Sequence, residues 1–129
     1  MHPAFSIIFF TITSGLGYGL LFFSGLHVAL SRTGNIVEPS SNPLVVCVVI
    51  GLTLVLLGLL SSTLHLANPK NAWRAFFRFR SSWLSREGVF ALLTFPIVFA
   101  FIYTLIATET SSVTSKTTAI ILMIISLLT

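Results

Sequence analysis

Four stretches of this chain are almost free of charge, separated by polar connections, the first two of which carry glycine and proline. A membrane-spanning helix needs about 20 mainly apolar residues. Residues 4–30 and 44–66 meet that need without any Asp, Glu, Lys or Arg, and 89–107 does so with Pro96 inside it. Pro96 predicts a kink and not a break, because neighbours in a bundle can satisfy the carbonyl it frees. Gly34, Asn35 and Pro39 mark the first connection, and Pro43 suits the first turn of the second helix. Residues 117–129 open a fourth apolar stretch that stops short of a full crossing, so the chain reads as the front portion of a longer protein. The predicted fold class is all-α: one integral membrane helix bundle over 1–129, with three complete spans and an incomplete fourth.

Residues 68–86 break the pattern. Asn68 can cap a helix with Pro69 in its first turn. At about 100° per residue, Trp73, Phe76, Phe77, Phe79, Trp83 and Leu84 gather on one face, and Arg74, Arg78, Ser82 and Ser85 on the other. Arg80 intrudes on the apolar face. That arrangement predicts an amphipathic helix lying in the plane of the interface. Two uses fit it: an ordinary anchor, with Trp in the aromatic belt, or a docking surface whose arginines meet a partner's carboxylates.

Composition agrees with the periodicity. Charged residues are 8% of the chain and hydrophobic ones 55%, against about 25% charged in soluble domains, which excludes a water-soluble enzyme. The net charge of +4 comes mainly from the 68–86 segment, so it sets topology or grips a partner, and no nucleic-acid partner is expected. Cys47 stands alone, a small apolar filler with no disulfide or metal-ligand mate. The N-terminal run has no preceding Lys or Arg and exceeds the roughly 7–15 residues of a signal-peptide core, so it is expected to stay as a span. No span carries a charge at its middle to mark an ion path, which disfavours a transporter or channel. Gly15 and Gly19 make a G-x-x-x-G step, and Gly51 and Gly58 stand one heptad apart. Such small residues predict close helix approach in lipid.

Sidedness decides which chemistry-bearing residues can meet. Antiparallel spans put His2, His65, residues 67–87 and Glu87 at one membrane surface. His27, Arg32, Glu38, Glu109 and Lys116 fall at the other. His27 and His65 lie in adjacent spans and invite a bis-histidine haem. At about 1.5 Å per residue across a core of about 30 Å, however, their imidazoles stand on opposite surfaces, roughly 20 Å or more apart. A haem or other metal held by this chain alone is therefore not expected. His65 and Glu87 share a surface. Glu87 has a structural explanation, since the start of a helix favours an anion and Arg86 is beside it. His65 has one too, as an interfacial imidazole bonded to a carbonyl. The functional reading of the pair is quinol oxidation, in which a neutral imidazole takes a hydroxyl proton and a surface carboxylate carries it onward.

The stretch STLHLANPKNAWRAFFRFRSSWLSREGVF (62–90) resembles the hallmark region of the membrane anchor subunit of dimethyl sulfoxide reductase. The opening HPAFSIIFFTITSGLGYGLLFF (2–23) is similar to that family's N-terminus. The resemblance covers the whole chain but only about the first half of a family member, which is an eight-helix bundle. It implies an anchor that is itself non-catalytic and holds no cofactor. Such an anchor oxidises menaquinol in a bacterial inner membrane and feeds an iron–sulfur subunit with [4Fe–4S] clusters. That subunit supplies a molybdopterin catalytic subunit reducing dimethyl sulfoxide or related S- and N-oxides. The family's quinol-site histidine and glutamate fall on His65 and Glu87. The docking surface for the iron–sulfur partner falls on Trp73, Arg74, Arg78, Arg80, Trp83 and Arg86. The cation count runs against the family's topology. Lys70, Arg74, Arg78, Arg80 and Arg86 would make the His65 side cytoplasmic, whereas the family's N-terminus and soluble subunits are placed outside. An arginine cluster buried in an interface can override the charge rule, and the periplasmic placement is the expectation. The competing reading is a purely structural tether with electron entry elsewhere.

Overall fold

The computed structural model describes residues 3–31, 41–63, 83–107 and 113–129. Among these it is all helical: α1 (Pro3–Leu30), α2 (Ser41–Thr63), α3 (Trp83–Ala107) and α4 (Val113–Leu128). Three helices are long and apolar enough to cross a membrane, over Ile7–Leu30, Asn42–Ser62 and Ser85–Ala107. The fourth, of 16 residues, is about 24 Å long at 1.5 Å per residue, shorter than a bilayer core of about 30 Å.

Two boundaries differ from the sequence reading. The third helix begins at Trp83, so Trp83 and Arg86 stand in the first turns of the spanning helix and not at the end of an interfacial one. The fourth begins at Val113. Residues 113–116, which the sequence reading left in the connection, form its first turn, and the Thr114 and Ser115 carbonyls accept from the hydroxyls of Thr117 and Thr118. The remainder of the expected interfacial helix lies outside the described residues. Pro96 sits inside α3 without ending it.

The helices form a ring in which α1 packs most extensively on α2, then on α4. Helix α3 closes the ring against α4, with a looser seam to α2. Lipid tails are as apolar as Leu, so packing between these helices is van der Waals matching and not hydrophobic burial. Glycine supplies the closest approaches. A Cβ on Gly17 would lie 2.7 Å from the Gly51 carbonyl oxygen, and one on Gly25 would lie 2.9 Å from the Ala119 oxygen. One on Gly58 would meet Ser14 Cβ at 3.1 Å. The G-x-x-x-G step is a correction to the sequence reading: Gly15 and Gly19 have nothing within 4 Å of their Cβ positions. They lie on a different face of α1 from Gly17, and the packing glycines are Gly17, Gly25, Gly51 and Gly58.

The core fills one half of the bundle. Leu21 and Val28 of α1, Val48 and Val55 of α2, Val98 and Phe101 of α3, and Ala119 and Leu122 of α4 are all buried there. The outer faces carry Ile12, Leu16, Phe23, Val46, Leu60, Phe99 and Ile106, all exposed. Buried hydroxyls are satisfied within their own helices: Thr13 donates to the Phe9 carbonyl at 2.7 Å and Ser14 to Phe10 at 2.6 Å. Thr94 donates to Phe90 at 3.0 Å and Ser126 to Leu122. Thr104 and Thr118 pair across two helices, with hydroxyl oxygens 3.2 Å apart.

Candidate functional site

The other half of the bundle is open. A cavity of about 580 Å³ is walled by residues 10–22 of α1, the C-terminal turns of α2, the N-terminal turns of α3 and the C-terminal end of α4. That combination of ends requires the four helices to alternate in direction, as antiparallel spans do. Helix α1 brings Ser14, Gly15, Tyr18, Gly19 and Phe22 to the wall; α2 brings Leu59 and Ser62; α3 brings Glu87, Gly88 and Ala91. The lining is mostly apolar with a few convergent polar groups, the usual character of small-molecule sites of about 300–1,000 Å³.

Each wall follows from local sequence. The missing Cβ atoms at Gly15 and Gly19 leave a flat strip of α1 backbone, one helical turn long, facing empty space. Gly88 and Ala91 keep the start of α3 thin on the same cavity. Glu87 is half-buried in the second turn of α3, beyond the first-turn N–H groups that would favour a carboxylate, so the helix-start explanation expected from the sequence does not account for it. Tyr18 is half-buried, and its hydroxyl oxygen is fully shielded without meeting hydrogen-bond geometry to any partner. Thr94 and Thr129 are its hydrogen-bonding neighbours. Each donates its own proton to a backbone carbonyl, Thr94 to Phe90 and Thr129 to Ile125, and keeps lone pairs that can accept from the tyrosine.

The structure places the predicted site residues unequally. Glu87 lines the cavity, and so does Ser62, three residues before His65. His65 itself, with Trp73, Arg74, Arg78 and Arg80, lies outside the described residues. His27 is exposed in the last turn of α1, roughly 20 Å along the helix from Ser14 at 1.5 Å per residue. Cys47 is exposed on α2. Among the described residues no three His, Cys, Asp or Glu side chains gather as metal ligands do. Sequence reasoning missed Tyr18 as a wall residue. The available signal was a hydroxyl-bearing aromatic between two glycines in an otherwise apolar span, and it does not reveal which way the ring faces.

Long apolar helices alternating around a half-open cavity define a multi-pass membrane protein. The chain belongs to the DMSO reductase anchor subunit (DmsC) family, whose profile matches residues 1–129. It is similar to a sulfite dehydrogenase subunit from Allochromatium vinosum, 38% identical over 103 residues, which are 78% of this chain and 31% of that protein. The chain therefore spans less than a third of the length that this relative has in full, taking the aligned part as the measure. No solved structure matches it.

Proposed function

We propose that this chain is the quinol-handling part of a bacterial inner-membrane anchor, oxidising menaquinol and passing the electrons to an iron–sulfur partner subunit. In this reading [4Fe–4S] clusters carry the electrons to a molybdopterin subunit that reduces dimethyl sulfoxide or a related S- or N-oxide. The observation that supports it best is the position of Glu87, a carboxylate on the wall of a largely apolar cavity at the bundle end where α2 runs out toward His65. An ionisable side chain at membrane depth is unfavourable to keep and marks a functional site by default. Oxidation of menaquinol to menaquinone releases two electrons and two protons. The His65 imidazole accepts a hydroxyl proton and Glu87 relays protons toward water, while the apolar walls hold the ring and its isoprenoid tail. Trp73, Arg74, Arg78, Arg80, Trp83 and Arg86 supply the surface that meets the iron–sulfur partner.

The test is menaquinol-driven substrate reduction by membranes carrying the assembled complex. His65→Ala and Glu87→Gln are each expected to lower turnover more than about tenfold while the complex still assembles, the usual scale for a positioned acid or base. Full turnover in both variants would leave the chain as a structural tether. A second reading concerns direction only. The similar sulfite dehydrogenase subunit bears the name of an enzyme that oxidises its substrate, so in that setting the same cavity would receive a quinone and reduce it. Measuring which redox form of the naphthoquinone is consumed by the native complex separates the two directions.

A further inference from the structure

We infer that the cavity wall selects the reduced form of its ligand, because its polar side chains are left to act as hydrogen-bond acceptors. The inference rests on the quinol reading and adds the property that lets the oxidised product leave. It follows from where the lining hydroxyls send their protons. Thr11 donates to the Ile7 carbonyl at 3.0 Å and Ser14 to Phe10 at 2.6 Å. Ser126 donates to Leu122, and Thr129 to Ile125 at 2.7 Å. All four line the cavity. A hydroxyl has one proton and two lone pairs, so these four keep only lone pairs for a ligand. Tyr18 adds no donor, since its hydroxyl is sealed off beside Thr94 and Thr129. Among the described residues, Ser62 is the one lining hydroxyl without such a bond, and its single proton can meet one ligand oxygen at most.

A quinol and its quinone differ at these contacts in one way. Each quinol oxygen has a proton to donate, whereas each quinone oxygen offers lone pairs alone. Glu87 lines the same cavity, and as the proton acceptor of the proposed function it is a carboxylate, which accepts and cannot donate. A quinol hydroxyl donates to it in a charge-assisted bond, stronger than a neutral one. A quinone carbonyl in the same place sets its lone pairs against a negative charge. The backbone does not supply the missing donors. The lining residues of α1 stand inside a 28-residue helix, where each N–H is taken by the carbonyl four residues back. Gly88 and Ala91 lie beyond the first turn of α3, past its unsatisfied N–H groups. To bond a quinone, a lining serine or threonine must give up its backbone carbonyl, which exchanges one hydrogen bond for another without net gain. His65, read above as an acceptor, acts in the same sense. The wall holds the reactant and loosens on the product once two protons have left it.

The experiment measures equilibrium binding of 2,3-dimethyl-1,4-naphthoquinone and of its diol to the native complex under anaerobic conditions, each at a potential where that form is stable. The diol is expected to bind at least about tenfold more tightly, the scale of one hydrogen bond to a charged group. Glu87→Gln replaces an acceptor with an amide that also donates. It should weaken the diol, tighten the quinone and bring the ratio of affinities close to one. Ser14→Ala combined with Ser126→Ala should weaken the diol about fivefold, roughly one net hydrogen bond, and leave the quinone unchanged. Equal binding of the two forms by the wild-type complex, or tighter binding of the quinone, overturns the inference and leaves the quinol reading standing. So does a parallel loss of both forms in Glu87→Gln or in the serine variant. If neither form binds saturably to the wild-type complex, the quinol reading falls and the inference falls with it.

Discussion

Toward the His27 end, the four helices close on Leu21, Val28, Val48, Val98, Phe101 and Leu122 and leave none of these side chains open. Toward the Glu87 end, the same four helices surround a cavity. The closed half is built from Leu, Val, Ile, Phe and Ala, whereas the cavity wall mixes Phe and Leu with glycines and with Ser14, Tyr18, Ser62, Glu87 and Ser126. The two halves also differ in where the small residues face. Gly17, Gly25, Gly51 and Gly58 are taken up by helix contacts, while Gly15 and Gly19 are left unfilled. A membrane bundle has no hydrophobic force to collapse such a space, because lipid is as good an environment for Leu as another Leu. An unfilled volume can therefore persist where a ligand is to sit.

This contrast can be broken from either side. The largest effect is expected in the closed half. Phe101→Ala removes a fully buried ring and should destabilise the folded protein by about 3–5 kcal/mol, read as a loss of thermal stability in detergent. A smaller structural effect separates neighbouring glycines. Gly17→Ala places a Cβ 2.7 Å from the Gly51 oxygen, and overpacking of this kind costs about 1–3 kcal/mol. Gly15→Ala meets nothing within 4 Å, and by helix propensity it should be neutral or stabilising by up to about 1 kcal/mol. Equal melting shifts for the two would erase the distinction between packed and open glycines.

A subtler probe is the Thr104–Thr118 pair, 3.2 Å apart across α3 and α4. A double-mutant cycle with Thr104→Val and Thr118→Val should return a coupling of about 0.6 kcal/mol, the usual worth of a hydroxyl bond between membrane helices. The smallest effect belongs to His27→Ala. Because His27 is exposed at the closed end of α1, naphthoquinol binding and turnover should not change. A clear loss there would move the ligand to the wrong end of the bundle.

Much of the architecture was legible without coordinates. Uncharged runs of about 20 residues leave a chain little choice but to span lipid as helices, because the bilayer core offers no water to bond a free backbone group. Alternation of direction then placed Glu87 at the end of the bundle where α2 finishes, and placed His27 at the other. The helix starts at Trp83 and Val113 were harder to read, because Ser, Thr, Lys and Arg in a first turn look like connection in the sequence.

The hydropathy pattern alone determined that the chain is a membrane helix bundle, since the cost of exposing a backbone group to lipid depends on composition and run length and not on neighbours. The string around residues 62–90 pointed to the anchor family that the profile match then established. Only the tertiary structure decided which glycines pack and which stay open, and that Tyr18 and Glu87 line one cavity. Rotation of a helix about its own axis is set by side chains on other helices. Periodicity in a span apolar on every face carries no record of it.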